Sequence, residues 1–239
     1  MADAAPFSGF PQEGLDFLRA LTTHNDRAWF NARKQTFQQQ LEAPAVALVV
    51  ALGARLRDAV SPDIVADTRT NGAGSLMRIT RDTRFSPDKT PYKSHLDMWL
   101  WEGSAPKKMH NPGFGLRIGV EDGALYAGLL VGLTGLDGPV LDRFRAAVAG
   151  EKLGPALVEA IAAVTTRPGY HVEGEHLKRI PAGYPADHPR ADLLRYNGLH
   201  AYSPPIDPAL LTSAAFVDAV VDHCCHMAPV HQWLVRMLA

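Results

Sequence analysis

Near Ser75 the apolar residues of this chain stop recurring every third or fourth position and begin to alternate, and beyond Leu133 the helical spacing returns. Alternation requires strands with two distinct faces, whereas residues three and four apart line one side of a helix. Before the switch, "QEGLDFLRALTT" sets Leu15, Leu18 and Leu21 on one helical stripe. "HNDRAWFNARKQTFQQQLEA" then predicts a helix capped by Asn25 or Asp26, with Trp29, Phe30, Phe37 and Leu41 inward. "AVALVVALGARLRDAV" continues as an apolar helix ending near Pro62, and Pro44 either begins it or kinks its predecessor.

In the alternating block, "HLDMWLW" puts Leu96, Met98 and Leu100 on one face and His95, Asp97, Trp99 and Trp101 on the other. "FGLRIGV" and "ALYAGLLVGL" flank Glu121-Asp122-Gly123 and read as a hairpin. "PVLDRFRAAVAG", "GPALVEAIAAV" and "PALLTSAAFVDAVVDHCCHM" are helical, "HPRADLLRY" is a short helix, and Pro229 is expected to start a last one. "YHVEGEHLKRI" reads as a strand or an irregular loop. Helices thus bracket a β block without regular βαβ alternation. The expected class is α+β, with a mainly antiparallel sheet in the middle of the chain flanked by N- and C-terminal helices. No repeat or composition shift marks a boundary, so 1–239 is expected to be a single domain with 1–9 a flexible tail.

With 46 % apolar residues among 239, the chain can bury a core without a metal or disulfide to hold it. Cys224 and Cys225 are adjacent, which excludes a disulfide framework. The longest apolar run, "APAVALVVALGA", is shorter than the roughly 18 residues a membrane span needs, and "MADAAPFSGF" lacks signal-peptide features. A soluble, cytoplasmic protein with no membrane partner is expected. The net charge of −1 supplies no global field, so affinity for a polyanion must come from a local patch.

One patch stands out. "MRITRDTRFSPDKTPYK", Met77 to Lys93, holds Arg78, Arg81, Arg84, Lys89 and Lys93 against Asp82 and Asp88. A strand over "SLMRIT" would turn Met77 and Ile79 one way and Arg78 the other. Pro87 and Pro91 prevent regular structure beyond it, so the cations sit on a loop that Phe85 and Tyr92 are expected to pin to the core. Their excess charge has three outlets: ion pairs with Asp82 and Asp88, water, or a bound anion. On the anion reading, Arg78, Arg81 and Arg84 clamp a phosphate or carboxylate, with Lys89, Tyr92 and Lys93 around it. Asp82 or Asp88 would orient an arginine or act as a general base on a phosphorylated or acidic substrate. The alternatives are a non-catalytic module docking a nucleic-acid backbone or an acidic protein surface, and a purely structural ion-paired turn. "APKKMHNPGFG", with Lys107, Lys108 and His110, is expected to line the same mouth.

"RITRDTRFSPDKTPYKSHL" resembles the R-x-x-R-D-x-R-F-x-x-D-K-x-P-Y-K run of the DUF2461 family. "FLRALTTHNDRAWFNARKQTF" is similar to that family's N-x-R-x-W-F helix start, and "HLKRIPAGYPADHPRADLLRYNGL" to its Asp-His-Pro segment. The resemblance implies that Arg78, Arg81, Asp82, Arg84, Phe85, Asp88, Lys89, Pro91, Tyr92 and Lys93 are defining positions; it brings no activity with it. Ala28 departs from the family's frequent Glu, which removes a capping-box bond to Asn25.

Other candidates are thinner. His223 and His226 in "DHCCH" stand three apart, but no third ligand has metal-site spacing, so no metal is expected and Cys224 reads as a buried apolar residue. Asp187 and His188 form a possible acid–base pair whose simpler role is to fix a loop, with His188 a catalytic candidate. Trp99 and Trp101 either stack on a base or pack under helices. There is no Walker loop, G-x-G-x-x-G, H-E-x-x-H or G-x-S-x-G, and no cofactor or oligomeric state is indicated.

Overall fold

The computed structural model describes residues 6–133, 136 and 138–239. Helix α1 (Gln12–Thr23) buries Leu15, Leu18 and Leu21, the stripe its spacing predicts, and Phe17 beside them. The next helix starts as α2 (Arg27–Ala32), capped by Asp26, whose carboxylate accepts from the Trp29 amide at 2.8 Å. A rod follows: α3 (Lys34–Phe37), a π-helical turn at Gln38–Glu42, then α4 (Ala43–Ala59). Pro44 sits in the first turn of α4, the helix start that is one of its two expected roles, although the rod continues into it without a break. It has no N–H for the Gln40 carbonyl, and the ladder widens in the turn before it. Gly14 of α1 crosses at that carbonyl, where a Cβ would stand 2.1 Å from the oxygen.

The sheet comprises β1 (His95–Trp101), β2 (Gly113–Glu121), β3 (Ala124–Leu133), β4 (His171–Glu173) and β5 (Leu199–Tyr202) in the order β1-β2-β3-β5-β4, all antiparallel. The β2–β3 hairpin closes through Asp122 and Gly123 at φ 48° and 80°, the pair of positive angles that matches the right-handed strand twist. Between β3 and β5 run α5 (Gly138–Ala149), α6 (Leu153–Thr165) and the single turn α7 (Ala191–Leu194). The closing helix α8 (Ala215–Leu238) runs straight through Pro229 instead of restarting there. Burial on both sides of the proline, at Val220, Cys224, Met227, Val230, Trp233 and Leu234, outweighs one lost hydrogen bond.

One face of the sheet carries Leu96, Met98, Leu100, Phe114, Leu116, Ile118, Leu129 and Val131, all buried in a single cluster with α1, α4 and α8. The helices thus sit on one face of an antiparallel sheet, an α+β architecture. Three local expectations change. Phe7 and Phe10 are buried and the Phe10 amide donates to the Leu211 carbonyl, so the expected tail stops short of Phe7; residues 1–5 lie outside the described part. Residues 76–80 are not a strand but touch β1 and the turn by isolated bridges, and Leu76 and Ile79, three apart, are the buried pair. Trp99 and Trp101 are 2 % and 9 % exposed, so they pack against the protein rather than offering a platform. Among the described residues no helix is long and apolar enough to cross a membrane.

Candidate anion site

The basic turn is built on a short ribbon. The Arg81 amide donates to the Pro91 carbonyl and the Lys93 amide to that of Ile79, so residues 82–90 form a loop closed at its base. Tyr92 fastens that base to the N-terminal helices. Its ring stacks on Phe30 with centroids 3.9 Å apart, and both its backbone groups bond the Asn25 side chain, at 2.9 and 3.0 Å. Asn25 is thus a bracket for the turn, and the cap role falls to Asp26. Phe85, expected to pin the loop as well, is 92 % exposed at its tip.

Within the loop most cations have found acceptors. The Arg84 guanidinium grips Asp82 at 2.9 and 2.6 Å, and Arg81 reaches Asp88 at 2.9 Å and the Tyr92 carbonyl at 3.0 Å. Hydrogen bonds from Arg84 lower the Asp82 carboxyl to about 2. The Thr90 amide and hydroxyl hold Asp88 below its ordinary value, with Arg81 adding to the effect. Both carboxylates are therefore braces, fully ionised and already hydrogen-bonded, and make poor proton acceptors. Lys93 leaves the loop to reach Asp97 at 3.1 Å, where His95 and Arg117 also converge. Arg78 is exposed and has no hydrogen-bond partner among the described residues.

What remains faces a polar cavity of about 340 Å³ between the loop and the start of α2, lined by Arg27, Arg81 and Lys89 with Asp26 as its one carboxylate. Thr80, Thr83 and Asn25 add polar groups. Asp26 is committed to the Trp29 amide, and Lys89 donates to the Thr83 carbonyl at 2.8 Å, which leaves its charge unneutralised. The Arg27 guanidinium makes no hydrogen bond or ion pair among the described residues. Of the sequence candidates, Arg81, Lys89 and Tyr92 meet at this cavity, whereas Arg78, Arg84 and Lys93 do not line it. Arg27 and Asn25 were missed. They sit far from the turn in sequence, and only the resemblance of "HNDRAWF" to the family's helix start pointed there.

The remaining candidates lie elsewhere. Lys108 is turned inward, donating to the carbonyls of Gly72 and Gly74, and burial lowers its pKa; it clasps a glycine-rich loop instead of lining the mouth. His188 accepts from the Arg190 amide at 3.0 Å beside Val158 and Ile161, away from the turn. His223 meets the Tyr170 hydroxyl at 2.5 Å and His226 the Val164 carbonyl at 2.8 Å, while Cys224 is wholly buried, with its thiol pKa pushed up by burial.

The sequence pattern of a family described as "Conserved hypothetical protein (DUF2461)" matches residues 13–233, a span holding the turn, its Asn25 bracket and every strand. No curated protein and no solved structure matches the chain.

Proposed function

The chain belongs to the DUF2461 family, and we propose that the turn bearing its most distinctive sequence holds a small oxyanion, a phosphate or carboxylate group. The observation that carries the reading is the charge around the cavity. Arg27, Arg81 and Lys89 line it with Asp26, and Asp88 pairs with Arg81 from outside the lining, so three cations meet two carboxylates and one positive charge is left in excess. Arg81 is fixed by Asp88 and the Tyr92 carbonyl, which sets one guanidinium in place before a ligand arrives, whereas Arg27 and Lys89 keep donors to spare. The braced state of Asp82 and Asp88 favours binding over proton transfer.

Inorganic phosphate titrated by calorimetry tests this directly. Arg27→Ala and Lys89→Ala are each expected to weaken binding about tenfold or more, the worth of a charge-assisted hydrogen bond. Arg84→Ala, which removes the exposed pair with Asp82 and the contact with Phe85 but nothing that lines the cavity, should leave it unchanged. Equal affinity in all three variants, or no heat with phosphate, would sink the reading.

A second reading rests on Phe85, whose ring projects into solvent with the Arg84 guanidinium 5.7 Å from its centroid. An aromatic tip among cations suits docking onto a polyanion, a nucleic-acid backbone or an acidic protein surface. It predicts that a short oligonucleotide binds with a steep salt dependence and loses affinity in Phe85→Ala, a variant that leaves phosphate binding intact.

A further inference from the structure

The sheet face turned away from α8 is made largely of glycines and rings. Along β2 and β3 the two-residue period brings Gly113, Gly115, Gly119, Gly128 and Gly132 to this side. Four of them are roofed: Trp99 lies on Gly113 and Gly115, His95 and Tyr126 on Gly119, and His200 on Gly132. In each case an atom stands between 2.3 and 3.1 Å from where a Cβ would be. Gly128 alone is bare, with nothing within 4 Å of that position. A strand glycine costs stability unless something uses the room it leaves, and among the described residues no side chain does.

That vacancy is the floor of a cleft of about 610 Å³ whose walls include Met77, Leu130 and Tyr202. Its polar end is set by cross-strand register, since Asp97, Arg117 and Gly128 form one row across β1, β2 and β3. Arg117 donates Nε to Asp97 at 2.6 Å, hydrogen-bonds the Tyr126 hydroxyl and is half-exposed, so part of its planar fork keeps donors to spare where it lines the cleft. Arg117, Asp97 and Glu121 line this end and Lys93 pairs with Asp97 from outside the lining, so the four together carry donors and acceptors without net charge.

From the bare glycine, the aromatic and thioether walls and the charge-balanced end, we infer that the cleft binds an uncharged planar nitrogen heterocycle. Its ring lies over Gly128, and its donor–acceptor edge is read by Arg117 and Tyr126. A net anion gains nothing from a balanced end, and a plain hydrocarbon would leave the guanidinium fork facing an apolar guest.

The test uses the full chain with adenine, benzoate and toluene as probes, followed by ligand-observed NMR and calorimetry. Adenine is expected to bind at least about tenfold more tightly than either other probe. Gly128→Val, which adds a β-favouring side chain in open space, should keep the thermal midpoint and phosphate binding of the wild type while abolishing adenine binding. Should Val fail to fold, Gly128→Ala applies the same block with a smaller group, and Tyr126→Phe should weaken adenine but not toluene. Preference for benzoate, equal binding of adenine and toluene, unaltered adenine binding in the Gly128 variants, or no binding by any probe would each overturn the inference. Because the readout is independent of phosphate, its failure leaves the turn site standing.

Discussion

Replacing Asp97 with alanine is expected to lower stability by about 3 kcal/mol, measured by urea unfolding near neutral pH. The carboxylate is 13 % exposed and receives Lys93 at 3.1 Å, His95 at 3.2 Å and Arg117 at 2.6 Å. Its removal leaves a guanidinium and an ammonium without the carboxylate they share. A fully buried pair broken this way costs about 3–5 kcal/mol, and the half-exposed Arg117 places the expectation at the lower end. Asp97→Asn keeps an acceptor but not the charge and should cost about half as much. The pH dependence adds a check. Burial alone would raise the Asp97 carboxyl, but the hydrogen bonds and charges of His95 and Arg117 outweigh it, so its folded pKa lies well below the usual carboxylate range. A depressed folded value means the group's contribution is complete above the unfolded pKa near 4 and fades only as pH falls through the folded one. The gap between wild type and Asp97→Asn should therefore persist from about pH 8 to about 5 and narrow only in stronger acid. A gap that narrows already near pH 6 would show that another group governs it.

Parts of this molecule could be read from its residues because local chemistry decides them. The alternation of "HLDMWLW" and the Asp122-Gly123 pair fix a strand and a hairpin wherever the chain places them, and the structure has both. Pro229 was misjudged because a proline's local penalty competes with burial that only the assembled core reveals, whereas Pro44 stands in the first turn of α4. Residues 76–80 looked like a strand by composition, but they meet β1 by isolated bridges, a matter of chain path rather than propensity. The cationic turn was visible as a place, whereas the partners of its charges were not. Arg117 becomes the neighbour of Asp97 only once β1 and β2 are in register, and Gly128 looks like any other glycine until the rings over its fellows are seen.

The clearest long-range tie is Asn25, and Asn25→Ala is expected to cost about 2–3 kcal/mol. Its amide nitrogen donates to the Tyr92 carbonyl and its oxygen accepts the Tyr92 amide, spanning 67 residues between the helix start and the turn. Alanine removes both bonds and orphans the amide of a residue that is 7 % exposed. In a chain of this size about 2–4 °C of thermal midpoint goes with each kcal/mol, so a drop of roughly 5–10 °C is expected. Asn25→Asp keeps the acceptor and loses the donor, and should fall between. Function should follow, because the Tyr92 carbonyl that Asn25 holds is also the acceptor that positions Arg81 at the cavity. Phosphate affinity in Asn25→Ala is therefore expected to fall although residue 25 carries no charge, and hydrogen exchange at the Tyr92 amide should accelerate. A midpoint within 1 °C of wild type, with exchange at Tyr92 unchanged, would show that the stacking of Tyr92 on Phe30 alone secures the turn and that the two family motifs meet without depending on each other.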